Sequence, residues 1–401
     1  MTHRLKTLLL AMLYEHRASY YDDWLDAFRT SPEFACEVVN IRRIDRKRLS
    51  STVDDYDAVV LLHNCTADTV DELVSLAPAL ADRRSSRVLA FVGNEYNSAF
   101  APLSEKIAAL RALRPDVIAT QLLEEAGAYL YGDTGARVIS LPHALNPAAF
   151  RPGPAHERRR IDIGVRSFRY PVSLGDDDRN RIIDFFAKNG PQLHLSIDID
   201  QNTRFDRDDW ASFLSDCRGT VSSEAGSWFL DRDDKLARDV HQHLSRFRRG
   251  WLEIGRRSAF RKLARGLPAA ARDWLAQRLK SGLVRYEGFE PEGIDFKDVA
   301  DLFFKTANKA PVYSKAISSR HFDAIGTKTC QIMLPGRYND ILRPHEHFIL
   351  LESELQNVEE AVGKFRDLAE RQAVVERAYE HVMSAHTHAH RMVTAAAALR
   401  A

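Results

Sequence analysis

Two successive series of short apolar runs, each interleaved with helical patterns, constrain this chain more than any other feature of its sequence. The first series occupies 8–13, 36–41, 58–62, 88–92, 117–121 and 138–141. Between these runs, Tyr21, Trp24, Leu25 and Phe28, and then Leu103, Ile107 and Leu110, recur at three- and four-residue spacing and so share one helix face. Alternation of this kind predicts a doubly wound parallel sheet. The stretch 151–160, Arg-Pro-Gly-Pro-Ala-His-Glu-Arg-Arg-Arg, concentrates Pro, Gly and charge without apolar periodicity and reads as an exposed linker. Strand and helix signals then restart, with strands at 161–165, 193–197, 329–334 and 348–351, a helix at 179–188, and two helices after Asn357.

A chain of 401 residues is long for one core and suits two α/β domains. The expected division is an amino-terminal Rossmann-like domain at 1–150, a linker at 151–160, a second Rossmann-like domain at 161–385, and a terminal helix or tail at 386–401. The alanines at 395–398 read as a fraying helix end. Within the second domain, 230–282 reads as a basic helical insertion. Its stretch from Lys235 to Lys280 holds thirteen basic against three acidic side chains, +10 locally, with Phe247, Trp251, Phe260 and Trp274 among them. An insertion with solvated arginines is the leading expectation there; peripheral contact with an anionic membrane is the second.

Composition excludes several classes. The whole chain balances 57 basic against 56 acidic residues, which argues against a nucleic-acid partner. Cys36, Cys65, Cys217 and Cys330 are widely spaced, which signals neither a zinc site nor a disulfide framework and fits a reducing cytoplasm. The run at 8–13 is too short to cross a bilayer and is expected to be a buried first strand.

The segment Lys315-Ala-Ile-Ser-Ser-Arg-His-Phe-Asp-Ala-Ile-Gly-Thr-Lys-Thr-Cys-Gln-Ile-Met-Leu-Pro-Gly336 resembles the donor-site segment of group 1 GT-B glycosyltransferases, and is similar to their CgeB-like branch. There an Arg-x-Phe-Glu-Ala helix precedes a short strand, a Gly turn and a His-Tyr-Ile-like strand; here these are Arg320-His-Phe-Asp-Ala, 329–334, Gly336 and His347-Phe-Ile-Leu. Phe91-Val-Gly-Asn-Glu-Tyr96 and the stretch 141–152 resemble the same family in order. The resemblance implies the GT-B fold, two facing Rossmann-like domains with the donor on the second, and a last helix that crosses back to the first. The implied activity is metal-independent transfer of a sugar from a UDP-, GDP- or similar nucleotide donor to a glycan, lipid-linked or protein acceptor. A GT-B-fold sugar-nucleotide epimerase and a non-catalytic glycan-binding or coat-assembly protein are the alternatives.

The residues supply candidates of their own. Ser318 and Ser319 precede a helical pattern, where free amides attract phosphate, and Asp323 one turn in is placed to accept from a ribose diol. Arg166, after the strand at 161–165, is the first choice for neutralising a leaving diphosphate, with Arg169, Lys315 and Arg320 behind it. The family's Glu-x7-Glu pair fails here, since Lys315 stands eight residues before Asp323; the surroundings of Glu224 resemble those of its first acid. His63 and Glu95 follow strands of the first domain and are candidates for an acceptor base, and His143 lies similarly beside the domain connection. Asp198-Ile-Asp200 imitates a metal-binding Asp-x-Asp, and His386, His388 and His390 imitate a ligand set, but neither has further ligand partners in the pattern, so no metal is expected.

Overall fold

The computed structural model describes residues 3–13, 19–67, 70–98, 101–247, 252–254, 284–286, 290 and 293–401. Six parallel strands, β1 (Leu5–Ala11), β2 (Phe34–Asn40), β3 (Ala58–Leu61), β4 (Arg87–Phe91), β5 (Val117–Thr120) and β6 (Arg137–Ser140), form the first sheet in the order β2-β1-β3-β4-β5-β6. The second sheet is built on β7 (Ile161–Arg166), β8 (Ile197–Asp200) and β9 (Cys217–Ser222). Two small pairs follow: β10 (Ala225–Gly226) joins β13 (Lys315–Ala316) antiparallel, and β11 (Leu252–Ile254) lies parallel to β12 (Val284–Tyr286). With β14 (Cys330–Met333) and β15 (Ile349–Leu350) the second sheet reads β15-β14-β9-β7-β8, again parallel.

The apolar runs of the first sheet are continuous because both faces are covered. Leu8, Leu10, Val59, Leu61, Val88, Ala90 and Ile118 pack on the helices Val70–Ala81 and Leu103–Leu113, while Leu9, Val60, Leu89 and Ala119 point to the other face, toward Trp24 and Phe28 of the helix Ser19–Thr30. That second face is completed from the far end of the chain. Met392, Ala395, Ala396 and Leu399 of the helix His388–Arg400 pack against it, and Arg400 pairs with Glu33 at 2.7 Å. The alanine run is therefore a packed helix rather than a fraying end: Ala395 and Ala396 are fully buried, and their small side chains let the helix lie close to the sheet.

The linker is also more buried than its composition suggests. Arg159 donates to the carbonyls of Pro154, Cys217 and Thr327 and to Thr329 Oγ1, so a charged side chain joins the connection to the second core. The expected strand at 193–197 begins only at Ile197, because the chain is still turning through His194 at φ +50°. Asp198 and Asp200 consequently lie within β8 rather than after it. Of the basic insertion, Lys235–Ser245 is a helix, whereas 248–251 and 255–283, where most of its charge lies, are outside the described residues.

The two domains share secondary-structure caps. Asp234, held at φ +58°, accepts from the Leu103 and Ser104 amides of a first-domain helix at 3.0 and 2.7 Å, and from Asn97 Nδ2 at 2.6 Å. A carboxylate on a helix start satisfies amides that have no intrahelical partner. Asp234→Ala is expected to lower stability by about 1–2 kcal/mol in urea unfolding, with Asp234→Asn, which tolerates the left-handed backbone and keeps an acceptor, losing less.

Candidate functional site

The loops leaving the carboxyl ends of the two sheets, where open parallel sheets bind ligands, face each other across a cleft of about 340 Å³. Glu95, Gln121 and His143 stand on the first-domain wall, after β4, β5 and β6. The opposite wall holds Arg166 to Pro171 after β7, Arg204 after β8, Trp210, and Ala316 to Arg320 at the start of the helix Ser319–Gly326.

Which arginines are open to a ligand is decided by carboxylates. Arg166 Nη2 pairs with Asp198 Oδ1 at 2.7 Å, and its guanidinium lies 4.1 Å from the Phe213 ring centroid. Arg169 forks onto Asp184 at 2.6 and 2.8 Å. Lys315 does not line the cleft at all: its ammonium is buried between Asp176 (2.7 Å) and Asp178 (2.8 Å). Burial works against that charge, but the two aspartates hold its pKa above the ordinary value. Arg320, Arg179 and Arg204 differ. Among the described residues none of the three has a carboxylate within ion-pairing distance; Arg320 reaches Ser167 Oγ at 3.1 Å and Arg179 lies 4.2 Å from the Tyr170 ring centroid. Burial, with Arg179 and Arg204 nearby, pushes the Arg320 pKa down to about 9. Three unneutralised guanidiniums converging on one cleft form an anion site.

The helix start is fixed by a neutral histidine. The Ser318 amide donates to His321 Nδ1 at 3.0 Å, which leaves Nε2–H to donate to Ser222 Oγ at 2.8 Å; burial holds the His321 pKa down to about 3. Ser318 and Ser319 thus line the cleft beside Arg320. Asp323 does not. It is buried behind Trp210, whose indole N–H donates to its Oδ2 at 3.0 Å, and burial raises its pKa well above the carboxylate range. The geometry thus places no ribose contact on Asp323.

Glu224 is likewise withdrawn from the cleft. Its Oε1 accepts from the Tyr338 amide at 2.6 Å and its Oε2 from the Tyr313 hydroxyl, and Gly336 lies so close to it that any side chain there would collide. The carboxylate ties the end of β9 to the loop after β14. His63 is enclosed beneath the first-domain wall, stacked on His143 with centroids 5.5 Å apart, and has no hydrogen-bond partner for either nitrogen among the described residues. Only Glu95 of the three catalytic candidates reaches the cleft. It accepts from Thr120 Oγ1 at 2.6 Å and the Gln121 amide at 2.7 Å, yet burial raises its pKa to about 7.

The walls are held in register across the seam. Arg207 of the second domain donates to Asp23 (3.1 Å) and Asp26 (2.6 Å) of the first, and Asn339 accepts from the Ile317 amide at 2.8 Å while donating to the Gln121 carbonyl at 2.9 Å. Arg179 and Arg204 are the members that sequence reasoning missed. Arg179 sits in Asp-Asp-Asp-Arg-Asn-Arg, which reads as a solvated helix start, and Arg204 lies in an unpatterned loop.

Residues 297–397 match the model of a family described as glycosyl transferase-like. Among solved structures, HepE of Anabaena in complex with UDP-glucose is similar over 99% of this chain and 100% of that one, at 11% identity and a TM-score of 0.50. The fold is GT-B. An alpha-glucosyltransferase in complex with UDP and a DNA 13-mer containing a HMU base is similar over 100% of both chains at 10% identity, TM-score 0.49. A trehalose-phosphate synthase of Burkholderia xenovorans in complex with glucose-6-phosphate covers 95% of this chain and 83% of that one at 12% identity, TM-score 0.40. A search of curated proteins gives no match. The matched segment lies in the carboxyl-terminal part of this GT-B chain and takes in most of the helix His388–Arg400 that crosses back to the first domain.

In the GT-B cleft the raised pKa of Glu95 has a stability consequence. A carboxyl that ionises at about 7 when folded, against about 4.3 when unfolded, binds more protons in the native state between those values, so its contribution falls as pH rises through that window. Glu95→Gln removes the dependence. The stability of the variant relative to wild type should therefore increase from pH 5 to pH 8 by on the order of 2–3 kcal/mol, measured by urea unfolding at each pH.

Proposed function

We propose that the protein is a glycosyltransferase that takes a hexose-like sugar from a nucleoside diphosphate donor without a metal ion and passes it to a hydroxyl of a glycan, lipid-linked or protein acceptor. The observation that carries this is the trio Arg320, Arg179 and Arg204 at the interdomain cleft of a GT-B fold, beside the amides that open the helix Ser319–Gly326. As the glycosidic bond breaks, negative charge grows on the departing diphosphate; fixed guanidiniums and a helix start stabilise it in place of a divalent cation. The similar HepE structure, which holds UDP-glucose, supports a nucleotide-sugar partner. Asp198, which a metal-binding Asp-x-Asp would require, is already engaged by Arg166.

Glu95 serves in this reading as the acceptor-side base. It is a carboxylate in the first-domain wall, and a pKa of about 7 places it where a base can both take and hold a proton at neutral pH. Closure of the two walls excludes water, which would otherwise take the sugar.

Two measurements test the donor site. Arg320→Ala and Arg179→Ala are each expected to weaken binding of UDP or GDP by roughly 1.5–3 kcal/mol in calorimetry, the usual contribution of a charged hydrogen bond, while Arg169→Ala, already neutralised by Asp184, changes it little. Binding should also survive EDTA. Loss of affinity on chelation, restored by magnesium or manganese, would overturn the metal-independent reading.

A further inference from the structure

The first-domain wall carries a second polar group whose state is settled by its neighbours. Trp24 Nε1–H donates to His143 Nδ1 at 3.1 Å. An indole nitrogen only donates, so Nδ1 must be the accepting nitrogen, and in a neutral ring the proton then sits on Nε2. Burial, with Arg391 nearby, holds the ring's pKa down to about 4, which keeps it neutral at physiological pH. The ring has little freedom to turn. His63 stacks on it at 22°, Tyr20 meets it edge-on at 5.7 Å, and Arg391 donates to the Pro142 carbonyl at 3.0 Å and the His143 carbonyl at 3.4 Å.

His143 lines the cleft, and its Nε2 has no hydrogen-bond partner among the described residues. Among the described residues it is also not sealed in: both nitrogens of His63 and Nδ1 of His388 are closed-off polar atoms without partners, and His143 Nε2 is not one of these. This N–H thus belongs to the first-domain wall of the cleft that Arg320 and Arg179 face from the second domain. A sugar carried on a diphosphate held by Arg320 and Arg179 would have to lie between those guanidiniums and that wall.

We propose that His143 is a neutral, tautomer-locked hydrogen-bond donor to a hydroxyl oxygen of the donor sugar, with Trp24 as the positioning residue that sets its tautomer. This rests on the nucleotide-sugar reading of the cleft. It assigns His143 to sugar recognition and removes it from proton transfer, because Nε2–H has no lone pair with which to accept.

The test compares wild type, His143→Ala, His143→Asn and Trp24→Phe by calorimetry, with UDP, GDP, UDP-glucose and GDP-mannose as probes. For a nucleotide sugar that wild type binds, His143→Ala is expected to lose about five- to tenfold in affinity, while affinity for the matching diphosphate changes less than about twofold and reports that the site is folded. His143→Asn, which keeps an amide donor, should recover part of the loss. Trp24→Phe, which frees the tautomer but keeps the imidazole, should reduce the sugar's contribution in the same direction. Nitrogen-15 spectra of wild type provide a check independent of any variant: Nε2–H is expected, and a dominant Nδ1–H tautomer would overturn the proposal. Wild-type discrimination between sugar and diphosphate in His143→Ala would overturn it also, leaving the donor site standing. Failure of wild type to bind any of the four probes would instead sink the donor reading, and the His143 proposal with it.

Discussion

Charge pairing at the mouth of the second sheet is the interaction on which the site depends. Arg166, Arg169 and Lys315 stand close to the cleft in sequence terms, but Asp198, Asp184 and the pair Asp176 and Asp178 neutralise them. What is left is Arg320, Arg179 and Arg204; burial first, and then the nearby charges of Arg179 and Arg204, lower the pKa of Arg320. Holding like charges together in a partly desolvated place costs free energy that an anion recovers on binding. The field of the cleft is thus the difference between many charges, and few of them are visible as a motif.

That field is useful only if the two walls keep their distance, and the seam is built to do so. Arg207 is buried against Asp23, a pair whose desolvation outweighs its attraction at the carboxylate, since the Asp23 pKa rises to about 7 even with Arg207 and Asn146 donating to it. Such a contact contributes registration more than stability. Apolar packing carries the stability: Leu230 and Ala316 of the second domain join the first domain's core, and the helix His388–Arg400 closes the opposite face of that sheet. Asn339 adds a local tie between the loops of the two cleft walls, on a backbone where Tyr338, Asn339 and Asp340 all have positive φ. Three consecutive strained residues persist because the Glu224 carboxylate, the Tyr338 hydroxyl bond to the Leu334 carbonyl and the Asn339 amide over-determine the loop.

Much of the architecture was legible in the sequence, because strands buried on both faces write themselves as apolar runs and their helices as stripes of period 3.6. The two parallel sheets follow from that pattern, and Ser318, Ser319, Arg320 and Glu95, singled out from the sequence, line the cleft between them. Where the reading slipped, a specific contact won. Gly336 packs on Glu224, so an acid after a strand became a loop anchor; Trp210 covers Asp323, so an acid one turn into a helix became buried; two aspartates from another helix start took Lys315.

The sequence by itself determined most of the strands, their alternation with helices in two parallel sheets, and that a polar helix start follows β13. Only the tertiary structure decided which charged groups are free, since the partners that decide it lie far apart along the chain, 15 residues for Arg169 and Asp184 and 153 for Arg320 and Ser167. Local periodicity records burial because burial is a property of each residue's own face. Neutralisation is a property of pairs brought together by folding, and one chain read in order does not contain it.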